Sequence, residues 1–237
     1  MNYGCGGYSG TSQGYGAGCG YSGSSGYSTS GSSSYGGSSY GGKAEYAMPE
    51  TPNFLQADIF LNENRPLTPL ISQLGEVKEV IEQTFKLITG QDFPQEDIKI
   101  AICNEQEFRQ IQPSSNVLGI SYNKYGKGTS EIYVIQDNMD RLLLTIGHEI
   151  GHILSPTLPN KQDEEAKAHA FSLAWMETIR DNNIAGLQPN IQPNPAHNGI
   201  HDVAFDYVKY LMTTGASSFD VFKTLAHGLT SIIAEAT

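Results

Sequence analysis

This chain predicts an α+β fold, a small mixed sheet packed on one apolar helix followed by a mostly helical C-terminal part. Three features of the pattern carry that expectation: short strand-like apolar runs between residues 98 and 136, one long apolar helix signal from about 139 to 154, and helical spacing through most of the chain after it.

The 237 residues divide first by composition. Residues 1–46 form a Gly/Ser/Tyr-rich tail in which short units recur: Gly7-Tyr8-Ser9-Gly10, Gly26-Tyr27-Ser28, Ser34-Tyr35-Gly36-Gly37 and Ser39-Tyr40-Gly41-Gly42. Its first 42 positions hold no charged side chain. Glycine and serine lose too much conformational freedom on ordering for such a segment to build a core, so the tail is expected to be disordered. Its spaced tyrosines could still make weak contacts for self-association or tethering. Residues 47–237 are expected to be a single domain of about 190 residues, enough for one substantial core.

Within that domain the elements come in order. After the linker Pro49-Glu50-Thr51-Pro52, Phe54 to Leu61 reads as a short strand or an arm laid on the core. Leu70, Leu74, Val77, Val80, Ile81, Phe85 and Ile88 recur at helical spacing and predict an amphipathic helix over 70–88 that stops at Gly90. Ile98 to Cys103 predicts a strand, and Glu105 to Gln110 a short polar helix or turn. Val117 to Tyr122 and Glu131 to Gln136 predict two strands joined by the turn-rich segment Asn123-Lys124-Tyr125-Gly126-Lys127-Gly128. Asp137-Asn138 is placed to cap a helix from Met139 to Leu154, which Ser155-Pro156 stops. A second helix begins near Gln162-Asp163-Glu164 and runs to about Arg180, with Ala166, Ala170, Leu173 and Met176 on its apolar face. Two more, over 200–213 and 217–234, flank Gly215.

Charge and cysteine usage exclude several classes of function. Lys plus Arg number 14 against 25 Asp plus Glu, a net charge of -11 carried wholly after residue 42. The densest basic stretch, Lys124 to Lys127, holds two lysines, so neither nucleic acid nor an anionic membrane is expected as the main partner. No apolar run approaches the length of a membrane span. Met1-Asn2-Tyr3-Gly4 opens neither a basic n-region nor an apolar h-region, which predicts an intracellular, cytoplasmic protein. Cys5 and Cys19 in the tail and Cys103 in an apolar run make no disulfide framework, and Cys103 reads as a small buried hydrophobe.

The chemistry is concentrated in Thr145-Ile146-Gly147-His148-Glu149-Ile150-Gly151-His152-Ile153-Leu154. His148 and His152 lie one helical turn apart on one face, which suits two imidazoles holding a single zinc ion. Glu149 is turned about 100° away around the axis, off the metal yet near enough to work on a water molecule. Two imidazoles and a carboxylate inside so apolar a helix need a metal or a hydrogen-bond network to satisfy them. Gly147 and Gly151 interrupt a helix where glycine costs about 1 kcal/mol relative to alanine, which points to close approach by a neighbouring element or a substrate. A catalytic zinc takes a third protein ligand and leaves a fourth position open. Glu165 is the leading candidate, early in the next helix, with Glu164 and Asp163 as neighbouring alternatives.

With Glu165-Ala166-Lys167-Ala168-His169-Ala170-Phe171 after it, this motif resembles the gluzincin class of zinc metallopeptidases, above all its minimal members of the phage-repressor-cleaving (ImmA/IrrE-like) kind. The resemblance covers roughly residues 98–180 and implies a zincin-like fold. It further implies that His148, His152 and Glu165 bind Zn2+ and that Glu149 is the general base. One departure stands out: the position after Ala168, usually Asn or Asp in the family and a partner of the first histidine, is His169. His169 could serve that hydrogen bond or act as a displaced ligand.

An oxyanion donor is also needed, and His201 is the first candidate, with His197 and Tyr122 behind it. The strand Glu131 to Gln136 is expected to lie beside the active helix and to hold an extended substrate as an edge strand does. Together these features predict a zinc-dependent endopeptidase acting on protein or peptide substrates. The alternatives are a metal hydrolase acting on a nonpeptide amide and a non-catalytic zinc-binding regulatory or structural protein that works through its tail.

Overall fold

In a computed structural model of the protein, residues 55–194 and 202–232 are described, and the long apolar helix is the axis on which they pack. The elements are β1 (Leu70–Ile71), α1 (Lys78–Thr89), β2 (Ile98–Cys103), α2 (Glu105–Ile111), β3 (Gly119–Tyr122), β4 (Ser130–Ile135), β5 (Asp137–Asn138), α3 (Met139–Ile153), α4 (Lys161–Asp181), α5 (Val203–Met212) and α6 (Ser218–Ala226). A three-stranded mixed sheet lies against α3, and helices succeed it, which is the zincin-like α+β arrangement.

Its strand order is β2-β4-β3. β2 runs parallel to β4 with Ile98 opposite Ser130 and Cys103 opposite Ile135, and β3 runs antiparallel to β4 with Gly119 opposite Val134 and Tyr122 opposite Glu131. This corrects one expectation: β4 is the central strand, hydrogen-bonded on both sides, and cannot offer an edge to a substrate. The edge that faces α3 is β3.

Helix α3 is apolar nearly all round, with Leu143, Leu144, Ile146 and Ile150 fully buried, because sheet covers one side and α4 the other. Two glycines let α4 approach. A Cβ on Gly147 would stand 2.5 Å from Trp175 Cδ1, and one on Gly151 would stand 2.9 Å from both Cα and the carbonyl oxygen of Ala168. Phe171, on α4, is ringed by Phe85, Trp175, Phe219 and Phe222, which ties α1 and α6 to the same core.

The chain before α1 departs from expectation. Residues 70–76 do not continue the helix: Leu70–Ile71 pair with Asp137–Asn138, and a 3₁₀ turn, Leu74–Glu76, carries a capping box between Gln73 and Glu76. α1 ends where expected, with Gly90 at φ 72°. Of the two readings of Phe54 to Leu61 the arm is the one seen: Ala57–Phe60 is a 3₁₀ turn with Ala57 and Phe60 buried in the core, and Leu61 bridges to Ile191; the linker 49–52 and Phe54 lie outside the described residues. Asn138 precedes α3 but makes no side-chain cap, because its backbone is engaged with β1. α5 begins at Val203 under an Asp202 cap, and α6 ends at Ala226, short of 234. Cys103 is half-buried at the end of β2 rather than enclosed, and burial, then the charge of Glu107, pushes its thiol pKa up. Cys5, Cys19 and the rest of the tail lie outside the described residues. Among those described, no helix is long and apolar enough to cross a membrane.

Candidate metal centre

The approach of α4 to α3 at Gly151 brings Glu165 against the two histidines. Ligand atoms of His148, His152 and Glu165 all lie within 4.8 Å of one another, and the two imidazole rings stand perpendicular with centroids 4.9 Å apart. Glu165 Oε2 is 3.6 Å from His148 Nε2 and 3.8 Å from His152 Nε2. Those gaps are too long for hydrogen bonds. Donors bound tetrahedrally to one zinc at ordinary bond lengths lie about 3.4 Å apart, so the spacing fits an ion that draws the three slightly inward. The donor set, two imidazoles and one carboxylate, fits zinc too.

Electrostatics point the same way. Burial drives the His148 pKa down to about 4, against the pull of Glu165, so its ring is neutral with a free lone pair. Burial would raise the carboxyl of Glu165, but the facing histidines outweigh it and bring it down to about 2, so it is anionic. For His152, burial is outweighed by the hydrogen bond to Glu164 and the charges of Glu149 and Glu165, and its pKa rises. A site that so favours a proton between carboxylates also favours a cation in its place.

Glu164, an alternative candidate for the third ligand, instead supports one of the histidines. Its Oε1 accepts a hydrogen bond from His152 Nδ1 at 2.9 Å. Because an ionised carboxylate only accepts, Nδ1 carries a hydrogen, and Nε2, facing Glu165, is the position that a proton or a metal ion takes up. Burial opposes ionisation of Glu164, but His152, Lys167 and the Leu158 amide outweigh it and lower its pKa. Asp163 turns away and accepts from Ser231 Oγ and the Ile232 amide.

Glu149 is 7% exposed and lies between α3 and β3. Gly119 makes room for it: a Cβ there would stand 3.0 Å from Glu149 Oε1 and 2.7 Å from Thr145 Cγ2. Burial raises the Glu149 pKa, and His152 and a hydrogen bond from Ser121 only partly restrain that rise. A carboxylate in this state holds a proton more readily than one in water, which is what a proton shuttle requires. His148, Glu149 and His152 line a cleft of about 550 Å³ whose other wall is β3 from Gly119 to Tyr122 and the adjoining Asn123.

His169 takes neither role anticipated for it. Its Nε2 donates to Asp202 Oδ2 at 2.9 Å, its ring sits 5.0 Å from that of His148, and His148 Nδ1 is buried without a hydrogen-bond partner among the described residues. The His169 side chain is thus committed to the N-cap of α5. Of the oxyanion candidates, Tyr122 lines the cleft, whereas His197 and His201 lie outside the described residues. Sequence reasoning missed Gly119, Asn123 and Lys167. A glycine inside a strand pattern was the available signal for the first, whereas a lone asparagine in a turn and a lysine on a helix carry none.

No family model, curated protein or solved structure matches the chain. The site therefore stands on its own geometry: a buried His-Glu-x-x-His metal-binding cluster on a helix, completed by a glutamate from the next helix and consistent with a zincin-type metallopeptidase.

Proposed function

We propose that the protein is a zinc-dependent endopeptidase of the minimal gluzincin kind, similar in its motifs to phage-repressor-cleaving metallopeptidases. The observation that carries this reading is the placement of Glu149 on the cleft wall beside the cluster of His148, His152 and Glu165. A purely structural zinc site has no use for a further buried titratable group facing an open cleft. His148, His152 and Glu165 hold the ion, which when bound supplies Lewis-acid polarisation of a carbonyl and acidification of a water. Glu149 takes a proton from the attacking water and returns it to the leaving nitrogen. The outer edge of β3 offers backbone donors and acceptors along which an extended protein or peptide segment can lie, with Ser121 and Tyr122 beside the reacting bond. Tyr122 is the oxyanion donor we favour in the cleft, with His201 and His197 as further candidates.

The test is zinc content and cleavage of a peptide library by the full chain and by its Glu149→Gln form. One zinc per chain is expected in both, with turnover lower by about 10²–10⁴-fold in the variant. Equal cleavage by the two proteins would remove Glu149 from the mechanism, and undiminished cleavage after complete chelation would remove the metal.

A further inference from the structure

Beneath the centre, where α3 ends, lies a lysine with no exposed surface. Lys167 is 0% exposed, and its Nζ donates to Glu164 Oε2 at 2.9 Å, to the carbonyl of His152 at 3.2 Å and to the carbonyl of Pro156 at 3.4 Å. Enclosing an ammonium is costly, and an apolar side chain of similar volume would fill the space with no such penalty. The fold alone does not call for this residue.

What the lysine touches is the support of one ligand. Glu164 divides its oxygens: Oε1 accepts from His152 Nδ1 at 2.9 Å, while Oε2 accepts from Lys167 and from the Leu158 amide at 2.8 Å. His152 is therefore gripped twice, its ring through Glu164 and its carbonyl through Lys167, with Asn123 Nδ2 adding a 2.7 Å bond to the same carbonyl. Among the described residues His148 has no comparable support, its Nδ1 being without a hydrogen bond. The hydrogen bonds that support the candidate centre from behind, among the described residues, converge on His152.

We propose that Lys167 is a positioning residue whose charge balances Glu164, holds that carboxylate on His152 Nδ1 and so sets the affinity and geometry with which the centre takes zinc. This rests on the reading that His148, His152 and Glu165 hold the ion. Lys167 is enclosed and both oxygens of Glu164 are engaged by His152, Lys167 and the Leu158 amide, so their effect on the ion passes through the orientation and basicity of one imidazole.

The experiment compares the full chain with Lys167→Met and with the double variant Glu164→Gln/Lys167→Met, in which both charges are removed so that neither is left buried alone. Zinc affinity is read by competition with a chromophoric chelator, ligand geometry by the visible absorption of the cobalt-substituted proteins, and fold by denaturant unfolding of the metal-free forms. Both variants should bind zinc about 10–100-fold more weakly and show displaced cobalt bands. Should Lys167→Met fail to fold, the double variant carries the same readings. A shifted metal-free unfolding midpoint with zinc affinity within about twofold of the parent and an unchanged cobalt spectrum would make Lys167 a structural cap and overturn the proposal. Absence of zinc binding by the parent chain would instead overturn the metal-centre reading on which it rests.

Discussion

Two carboxylates at opposite ends of α3, Asp140 of the helix itself and Glu165 of the neighbouring α4, are in opposite states of satisfaction. At the N-terminal end, Asp140 is 1% exposed and saturated: Oδ1 accepts from Thr68 Oγ1 and the Arg141 amide, each at 2.9 Å, and Oδ2 accepts from Arg65 Nε at 2.8 Å and Asn190 Nδ2 at 2.9 Å. At the C-terminal end, Glu165 faces His148 and His152 across gaps of 3.6 and 3.8 Å, and His148 Nδ1 has no partner among the described residues. A closed network of this kind staples the chain segments at 65–68 and 190 to the start of the helix. An open one spends stability on groups held ready for something absent from the fold's own inventory. Burial alone does not distinguish the two, but donor saturation does.

The sharpest way to break this comparison is to neutralise each carboxylate in the metal-free protein. Asp140→Asn turns one acceptor oxygen into a donor facing Arg65 or Asn190 and is expected to lower unfolding free energy by about 2–4 kcal/mol. Glu165→Gln gives up the attraction of the two facing histidines but no hydrogen bond of normal length, and should lower metal-free stability by less than Asp140→Asn does. With zinc added the gap between the two variants should close: the parent and Asp140→Asn gain about 2.7 kcal/mol at zinc 100-fold above Kd, and Glu165→Gln gains little. Urea unfolding with chelator and with zinc reads both effects. Equal losses for the two variants in chelator would show that Glu165 is as structural as Asp140.

Between the two ends lie the glycines that set the distance of α4. Gly151→Ala drives a methyl into the backbone of Ala168, which cannot turn aside, whereas Gly147→Ala meets the edge of the Trp175 ring, which can shift. Each should lower stability by about 1–3 kcal/mol through overpacking. Gly151→Ala should also weaken zinc binding the more of the two, because it displaces the helix that carries Glu165. Unfolding and zinc titration of both variants check this, and equal zinc affinities would mean that Glu165 reaches the centre independently of helix spacing.

Much of this was legible from local pattern. The His148/Glu149/His152 spacing, the strands at 98–103 and around β3 and β4, and the meaning of Gly147 and Gly151 derive from helix and strand periodicity, which is written into consecutive residues. Strand order is not. β4 is central, yet its residues Ser130–Ile135 read no more apolar than those of the edge strand β2, Ile98–Cys103, and only the pairing with β2 reveals its place. Residues 70–76 carry helical spacing, yet Leu70 and Ile71 find a better partner in Asp137–Asn138, a contact so distant along the chain that no sequence window contains it. Glu164 and Lys167 look like ordinary charges of a helix start, and their enclosure comes from the turn at 155–160 folding over them. His169 was marked by its departure from a family pattern, but its partner Asp202 caps a separate helix 33 residues away.

The smallest expected effect concerns acid. Burial pushes the Asp140 carboxyl upward, but hydrogen bonds from Asn190, the Arg141 amide, Thr68 and Arg65 outweigh it, and its pKa falls below the ordinary 3.8. A carboxyl with a lower pKa folded than unfolded contributes stability that is complete above the unfolded value and is lost as pH falls through the folded one. The stability gap between the parent and Asp140→Asn, measured by urea unfolding in chelator, should therefore be flat from about pH 7 to about pH 5 and narrow only below the ordinary carboxylate range. The slope of that narrowing reports one proton taken up on unfolding at the N-terminal end of α3, far from the ligands. A gap that instead closes between about pH 7 and pH 5 would tie Asp140 to a histidine titration and dissolve the distinction between a closed staple and an open centre.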